Sequence, residues 1–592
     1  MKLSGARTYL LMACAGGAIY WNALGNPFHF DDLHSVQFNP HIRSLYNVPS
    51  FFVDLHTFSS ERSGTMFRPL LLFSYALNYA LHGEWVAGFR IVNLLLHTSC
   101  AFLVWLVVRD WGGRLQMAHI VGGLFLLHPL AAEPINYISS RSDLLSAFFV
   151  LLGIWMFKQS DQRRIAKVLS AFVCALLVKS VAIVLPALCA VGIGREGRAE
   201  KRRVLRLLSS MGAIALIYVG LITANRFLPS SLEKIPRALD VHIWTQIKAW
   251  VYAIWVVVMP VNLSVDHLFS ESSSWVDGAV LSAAFFLCSL GLVGLFSFRQ
   301  WLGKGIFWWF IALSPYALIP LNIIVSERRL YLASVGLVCI AGWALSDLLK
   351  KYETAGRSAL VSLGLLFFLV VTTRNGVWAS DVKLWEDALR EGSIQPRAQV
   401  NLALAYVRQG RLSDAIERLE KVLVTSPDFA DAWVELGNLQ HESGDYQRAL
   451  YSYKQAVRIQ PWLAGGHYNI GNLLLARGEL IQAVKRFEYA LKLNPNFAMA
   501  HNNLAQAKEG LGQWEEAMAG YRSAIDVDSE QPQAWFNLAS LLERRGAVGE
   551  AASAYLRAHA FLVSSEEYGE SGQYQAFAHK ALAAAKRLGQ GR

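Results

Sequence analysis

The feature that most constrains this chain is a series of long apolar segments in its first 373 residues, separated by short basic loops. A helix needs about 20 apolar residues to cross a bilayer. The whole chain is 54% hydrophobic and only 17% charged, whereas soluble domains carry about 25% charged residues. The sequence therefore predicts an all-α, polytopic membrane domain over residues 1–375.

About eleven segments are predicted to span the membrane. They are 8–24, 87–108, 117–131, 142–157, 166–179, 181–194, 204–223, 278–298, 305–324, 329–349 and 357–373. Two further apolar stretches, 68–82 and 244–260, are predicted to be re-entrant or interfacial helices. If either crossed the membrane alone, the basic loops would no longer share one side.

Lysine and arginine concentrate in cytoplasmic loops, which gives the predicted sidedness. The predicted cytoplasmic parts are the N-terminus and the loops 109–114, 158–164, 195–203, 298–304 and 350–357. The loop 25–86 and everything beyond the last span then lie outside the cytoplasm. The formal charge of +11 is explained by the lysines and arginines of these short loops next to the bilayer. Because a nucleic-acid partner needs a basic soluble face, none is predicted.

Beyond a predicted junction helix at 376–396, several residue types recur every 34 positions. The repeated positions are Gly410, Gly444, Gly478, Gly512 and Gly546, and Ala415, Ala449, Ala483, Ala517 and Ala551. This period is that of the tetratricopeptide repeat (TPR), a pair of antiparallel helices. Glycine ends the first helix, and the small alanine allows close packing. Five repeats are predicted over 397–562, followed by a capping helix and tail over 563–592.

A polar series follows the same step on the first helix of each predicted repeat. Its asparagines are Asn401, Asn469, Asn503 and Asn537, with Asn438 and Asn472 one helical turn away. This ladder resembles the array of O-linked N-acetylglucosamine transferase, where such side chains hold a peptide backbone. An amide can donate and accept at once. The alternative is a solvated inner face.

An acidic pair, Asp31 and Asp32, follows the first predicted span. Adjacent carboxylates can supply a general base or share a divalent cation. The alternative interpretation is an ordinary acidic loop, and the pair alone does not decide between them.

The order of several short motifs adds context to this pair. They are FHFDDLHSVQFNPHI (28–42), FRPLLLFSYALNYALHG (67–83), LLHPLAAEPINYISSRSDLLSA (126–147), VSERRLYLASVG (325–336) and RNGVWASDVKLWEDAL (374–389). In this order, and followed by TPRs, they resemble the transmembrane and TPR-containing O-mannosyltransferase family of the GT-C superfamily. Ser180 and Ala333 depart from the residues usual in that family, an acid and a proline, and leave the donor sugar open.

The resemblance implies a reaction and a set of site residues. Members of this superfamily use polyprenyl-phosphate-linked sugars, so Asp31 or Asp32 would deprotonate an acceptor hydroxyl that attacks the sugar. Cations would then stabilise the leaving phosphate. The candidates are Arg68, Arg141, Lys179, Arg328 and Arg329. Each of these has snorkelling to the interface as its alternative role.

Three further residues are candidates for supporting roles: His128, Glu133 and Asp266. If a divalent cation takes part, Asp32 and Glu133 are the candidate ligands. His128, which precedes Pro129, has capping of a helix end as its alternative role.

The predicted function is transfer of a mannose-like sugar from a polyprenyl phosphate to serine or threonine of a protein held by the TPR array. A bacterial inner membrane with a periplasmic array is the predicted location, with the endoplasmic reticulum and a lumenal array as the alternative. The competing functional hypothesis is a non-catalytic, membrane-anchored TPR scaffold for envelope protein assembly.

Overall fold

A computed structural model of the chain describes residues 2–60, 66–159, 163–193, 198–224, 237–320, 323–390, 395–564 and 572–589. The described residues form helices and connecting turns, with no β-strand among them. They divide into two units, Met1–Ser393 and Ile394–Arg592. Parts of the predicted basic loops, 160–162 and 195–197, lie outside the described residues.

The first unit consists of α-helices numbered here in chain order. They are α1 Lys2–Tyr20, α2 Pro69–His82, α3 Val86–Asp110, α4 Leu115–Leu127, α5 Ala132–Asn136, α6 Arg141–Lys158, α7 Arg164–Val178, α8 Leu185–Val191, α9 Arg198–Ala224, α10 Leu239–Val258, α11 Gly278–Phe296, α12 Trp301–Leu318, α13 Glu327–Lys351, α14 Glu353–Val377 and α15 Asp381–Ala388. A continuous apolar core joins α1, α3, α4, α6, α7, α12 and α13.

Seven described helices are long and apolar enough to cross a membrane. They are Val86–Asp110, Ile138–Lys158, Lys201–Ala224, Leu239–Val258, Gly278–Phe296, Glu327–Lys351 and Glu353–Val377. The pair Leu115–Leu127 and Pro129–Asn136, bent by 46°, would make an eighth. The described part of the chain thus has seven or eight full-length apolar helices, fewer than the eleven spans expected.

The shortfall has a local physical cause, seen best at α7. This helix has 15 residues, about 22 Å of rise against a hydrocarbon core of about 30 Å. Lys179 ends it with extended backbone (φ −158°, ψ 131°), and the next apolar segment, Ser180–Val191, is also short. An apolar run read from sequence does not show such a break.

Several predicted cytoplasmic loops meet at one end of the bundle, called the basic end here. The Trp111 and Trp301 rings stack 6.4 Å apart, and Arg114 Nη1 lies 3.3 Å from Asp347 Oδ1. Gln159 Nε2 donates to Asp110 Oδ2 over 3.0 Å. These contacts agree with the expectation that the basic loops share one side.

Helix α10 passes the length test for a span, but its two ends contact the same end of the bundle. His242 Nε2 lies 3.2 Å from Tyr316 O, at the C-terminal end of α12. At the other end of α10, Val257 O lies 3.0 Å from His128 Nε2. Because α12 starts at the basic end, Tyr316 belongs to the opposite one, called the acidic end here. That 244–260 is an interfacial helix stays a prediction, since α10 is also long and apolar enough to span.

Helix α2 is also held at the acidic end. Its Tyr75 hydroxyl donates to Ile138 O over 3.1 Å, and Asn78 Nδ2 donates to Gly88 O at the start of α3 over 3.4 Å. These contacts agree with the expectation that 68–82 does not cross alone.

Helices α12 and α13 touch through glycine, which leads to a stability prediction. A Cβ on Gly305 would lie 2.5 Å from Gly336 O, so the helices would have to separate. We expect Gly305→Ala to destabilise the membrane unit by about 1–3 kcal/mol, measured as unfolding in detergent. Gly364→Ala is the control, because a Cβ there meets nothing within 4 Å. Equal stability of the two variants would contradict this packing.

The second unit is a solenoid of helix pairs followed by a last helix. Its helices are α16 Pro396–Arg408, α17 Leu412–Thr425, α18 Ala430–Glu442, α19 Tyr446–Ile459, α20 Ala464–Ala476, α21 Leu480–Leu493, α22 Ala498–Gly510, α23 Trp514–Val527, α24 Pro532–Arg544, α25 Val548–Ser564 and α26 Gly572–Gly589. The repeated glycines end each first helix with positive φ, 73° at Gly410 for example. The repeated alanines are fully buried. The predicted roles of both positions are confirmed.

Candidate active site

The acidic pair lies in a backbone segment of unusual conformation. Phe30, directly before Asp31, has φ of 45°, which is strained for a residue with a bulky side chain. A π-helix, Leu33–Gln37, follows Asp32. Both features are concentrated at functional sites. The surroundings hold the segment in place, since the Phe30 ring packs 4.9 Å from the Trp385 ring.

The two aspartates have different environments. Asp32 is fully buried and accepts hydrogen bonds from Ser139 N (2.6 Å) and Ser139 Oγ (2.7 Å). Ile138 N and His29 N, both at 3.2 Å, also donate to it. Burial raises the pKa of Asp32, and the hydrogen bonds from Ser139 and His29 oppose that rise. This carboxylate holds the loop to the Ile138–Ser139 backbone.

Asp31 is instead accessible. Its side chain is 54% exposed, and its Oδ1 lies 3.6 Å from His34 Nε2. The Tyr137 hydroxyl donates a hydrogen bond to it. Partial burial raises the pKa of Asp31. The hydrogen bonds from His34 and Tyr137 and the charge of Arg328 outweigh this effect and lower the pKa to about 2. Asp31 is therefore an ionised, reachable carboxylate.

A small, partly open cavity lies at the acidic end of the bundle. Its polar lining includes Asp143, Ser146, Tyr316, Arg328 and Arg329.

Four of the five predicted cations gather around Asp143. Lys179 Nζ lies 2.5 Å from Asp143 Oδ1, and Arg328 and Arg329 line the same cavity. Arg68 interacts electrostatically with Asp143, Arg328 and Asp31. The four cations outnumber the three nearby carboxylates, Asp143, Glu133 and Asp31, which leaves positive charge for a further anion.

Arg328 connects this cation group to Asp31. Its guanidinium lies 5.1 Å from the centroid of the Tyr137 ring, and Tyr137 in turn hydrogen-bonds Asp31. Glu133 fixes the arginine, because Glu133 Oε2 accepts from Arg328 N over 3.1 Å and Oε1 lies 3.9 Å from Arg328 Nε. Glu133 thus contacts the cation group, as a supporting residue would.

Arg141 lies apart from the group. It is fully buried and donates to Asn93 Oδ1 (2.7 Å) and to the carbonyl oxygens of Phe89 (2.8 Å) and Ser74 (3.2 Å). These acceptors, together with the Tyr75 ring 4.9 Å away, indicate a structural clamp between α2, α3 and α6.

The remaining predicted residues have local contacts. His128 Nδ1 accepts from Leu130 N (3.3 Å), which caps a short turn, as its alternative interpretation predicted. The Asp266 backbone N–H donates to Ser264 Oγ over 3.3 Å. No three His, Cys, Asp or Glu side chains among the described residues are arranged to hold a metal ion. The donors around Asp32 occupy its oxygens, so a cation shared by Asp32 and Glu133 finds no support.

Three residues of the site were not predicted from sequence. His34 could have been found, because it stands three positions after Asp31. Tyr137 and Glu327 carried no comparable signal. Glu327 is fully buried and lies 3.3 Å from His267 and 3.9 Å from Arg374, and its partners are distant in sequence.

The asparagine ladder forms hydrogen bonds from one repeat to the next. Asn469 Nδ2 donates to Asn438 Oδ1 (3.0 Å), and Asn503 Nδ2 donates to Asn472 Oδ1 (2.7 Å). Asn537 Nδ2 donates to Asn502 Oδ1 (3.0 Å), whereas Asn401 Nδ2 donates within its own helix, to Arg397 O (3.0 Å). The predicted ladder residues are half-buried and therefore still reachable, whereas their partner Asn502 is buried.

Comparison with known proteins supports the repeat assignment. Models described as tetratricopeptide repeat and TPR repeat match residues 383–461, 505–566 and 471–512. The repeat array predicted from the 34-residue period is thus confirmed.

Curated proteins similar to the chain share one name. Protein O-mannosyl-transferase F38B6.6 of Caenorhabditis elegans is 25% identical, over 72% of this chain and 64% of that protein. Protein O-mannosyl-transferase TMTC3 of Mus musculus is 23% identical, over 77% and 55%. Protein O-mannosyl-transferase TMTC4 of Homo sapiens is 25% identical, over 66% and 62%.

The chain therefore spans 55% to 64% of the length of these relatives. Since matches over 77% of the chain extend beyond either unit alone, they include helices of the membrane half and of the array. The chain is a homologue of the transmembrane and TPR-containing protein O-mannosyl-transferases.

Proposed function

We propose that this membrane protein is a glycosyltransferase of the GT-C type that moves a mannose-like sugar from a polyprenyl phosphate to serine or threonine hydroxyls of a protein. The observation that carries the proposal is the placement of Asp31 and the cation-lined cavity on either side of Tyr137 and Arg328. A base next to a phosphate-binding group is what such a transfer requires.

The proposed reaction assigns each group one task. The acceptor hydroxyl gives its proton to Asp31, and its oxygen bonds to C1 of the sugar. The bond between C1 and the phosphate oxygen breaks, and polyprenyl phosphate leaves with the electron pair, inverting the configuration at C1. Arg328, Arg329, Lys179 and Arg68 stabilise the charge that develops on the leaving phosphate.

A transfer assay in nanodiscs tests the proposal. Purified protein is given a mannosyl polyprenyl phosphate and serine- or threonine-containing peptides, and glycopeptide is measured by mass spectrometry. A GDP-linked sugar serves as the alternative donor. Transfer from the lipid donor alone is expected. If peptide binds and neither donor is consumed, the scaffold function replaces this proposal.

The TPR array is proposed to hold the acceptor by its backbone, through the amides of the ladder. We expect Asn472→Ala to weaken binding of an acceptor peptide about three- to tenfold, because hydrogen bonds of about 1 kcal/mol each are lost. Calorimetry on the full-length protein measures this. Asn496→Ala is the control, since Asn496 lies in an exposed turn between α21 and α22. Equal affinity of both variants would contradict a role for the ladder.

The proposed location is a bacterial inner membrane with the array in the periplasm. The chain leaves the membrane half after α15, which contacts the acidic loop through His29 and Asp381, so the acidic pair and the start of the array are expected on one side. Alkaline phosphatase fused at the C-terminus should be active in a bacterial host. Activity of a cytoplasmic reporter instead would contradict this orientation.

A further inference from the structure

Glu327 is a buried carboxylate to which the proposed reaction gives no task. It is the first residue of α13 and directly precedes Arg328. Its Oε1 accepts a hydrogen bond from Ser264 N over 2.5 Å and lies 3.3 Å from His267 Nε2, both in the loop between α10 and α11. The same oxygen lies 3.9 Å from Arg374 Nη2, near the C-terminal end of α14. One carboxylate thus joins three segments of the membrane unit.

Arg374 extends this contact to α15. Its Nη1 lies 2.5 Å from Asp387 Oδ2, and the side chains of Glu327, Arg374 and Asp387 are each no more than 5% exposed. One guanidinium can contact two carboxylates at once, because its N–H groups point in fixed directions. Glu327, Arg374 and Asp387, called the Glu327 network here, therefore connect the start of α13 to α14 and α15.

Stability alone does not explain this network. Buried charges lose their hydration, so apolar side chains of similar volume often stabilise a fold equally well or better. Glu327 Oε2 and Arg374 Nε are buried and have no hydrogen-bond partner among the described residues, which adds to the cost. Buried charges can instead fix one particular arrangement of the surrounding elements. The element fixed here is the helix start that carries Arg328.

The first turn of α13 depends on side chains from other elements. Its N-cap residue, Ser326, makes no capping hydrogen bond with its side chain. Glu133 of α5 instead accepts from the Arg328 N–H over 3.1 Å, and the Glu327 carboxylate lies at the positive end of the helix dipole. Neighbouring side chains on a helix point about 100° apart. Holding Glu327 in the core therefore fixes the direction in which Arg328 leaves the helix.

We propose that Glu327 is a positioning residue: held by Arg374, it fixes the first turn of α13 and keeps the Arg328 guanidinium beside the cavity. Arg328 also stacks on Tyr137, which hydrogen-bonds Asp31. The geometry of both the base and the phosphate-binding group thus depends on Glu327, which touches neither substrate. The effect on turnover rests on the proposed transferase function, whereas the local geometry does not.

Hydrogen exchange of the protein in nanodiscs tests the geometry without any activity. Glu327→Gln keeps the size of the side chain and an acceptor for Ser264, but removes the charge that faces Arg374. Peptides from the first turn of α13 should exchange about tenfold faster in this variant, because a contact between charged groups is lost. Peptides from the C-terminal end of α13 should exchange as in the wild type. Unchanged exchange of the first turn would overturn the inference.

The effect on turnover is tested by combining Glu327→Gln with Arg328→Gln. Residues that act together have non-additive effects, so Glu327→Gln should lower the rate at saturating donor about tenfold by itself and less than about twofold when Arg328 is already replaced. A general structural loss would lower the rate by the same factor in both backgrounds, and that result would overturn the inference.

Arg374→Lys is a second variant that keeps the fold. Its ammonium retains a positive charge near the carboxylates of Glu327 and Asp387, so the melting temperature should match that of the wild type. An ammonium cannot hold two carboxylates in a fixed geometry, and small misplacements in a site are costly, so the rate at saturating donor should fall about three- to tenfold. A wild-type rate in this variant would contradict the proposed role.

Glu353→Gln is the matched control. Glu353 is also the first residue of a helix, α14, but its side chain is 70% exposed and pairs with Arg357 at the surface. Its exchange and its rate should equal those of the wild type. If the wild type transfers no sugar, the proposed function fails, and the exchange measurement still decides whether Glu327 fixes the start of α13.

Discussion

Asp31→Asn should reduce sugar transfer by about 10² to 10⁴-fold, the usual contribution of a positioned general base. The amide cannot take the proton of the acceptor hydroxyl, and its shape leaves the loop intact. Because the pKa of Asp31 is lowered to about 2, its carboxylate is ionised at every pH above about 3. The base should therefore impose no decline in rate between neutrality and pH 4. Single-turnover assays with radiolabelled donor measure both effects.

The neighbouring aspartate gives a contrasting result. Each oxygen of Asp32 accepts from two donors, so in Asp32→Asn two donors face an NH₂ group in place of an acceptor. The expected effect is a lower melting temperature together with the loss of activity. Asp31→Asn should have the same melting temperature as the wild type. Asp347→Asn, at the basic end, is the control for charge removal. Full activity of Asp31→Asn would eliminate it as the base.

Arg328→Gln should lower the turnover rate by about 10² to 10³-fold, the range for removal of one donor to a developing oxyanion. Arg328 lines the cavity and stacks on Tyr137, so the variant loses a charge next to both the leaving phosphate and the base. The rate at saturating donor should fall more than donor affinity does, because the phosphate gains charge as it leaves.

Arg328→Lys separates this effect from damage to the fold. In Arg328→Gln the buried Glu133 loses its charged partner. The lysine of Arg328→Lys keeps a positive charge there, but a lysine side chain lacks the planar fork of arginine. An intermediate rate with a normal melting temperature is expected. Arg357→Gln is the surface control, since Arg357 is 73% exposed. If Arg328→Gln keeps the wild-type rate, the phosphate-binding role is wrong.

The structure places four of the five predicted cations in one group and Arg141 outside it, and their contacts give the reason. Arg141, Lys179, Arg328 and Arg329 all stand at predicted external helix ends, where snorkelling and anion binding cannot be distinguished. The structure separates them by what their N–H groups contact. Arg141 donates to carbonyl and amide oxygens between helices, whereas Lys179 and Arg328 surround Asp143 and the cavity.

Features that depend on local spacing could be predicted without the structure. A 34-residue step in glycine and alanine predicts helix pairs, because turn and packing positions repeat along the chain. Long apolar runs with basic loops predict a membrane domain. The position of the acidic pair could also be predicted, because the pair directly follows the first apolar segment.

The tertiary structure alone decided which of these residues meet. Glu133 and Arg328 are 195 positions apart, and His29 and Asp381 are 352 apart, so no local pattern joins them. Packing also distinguished the buried Asp32 from the exposed Asp31, although the two are adjacent in sequence. Periodicity fixes which face of a helix a residue occupies, but the environment of a side chain in a loop depends on the elements that fold over it.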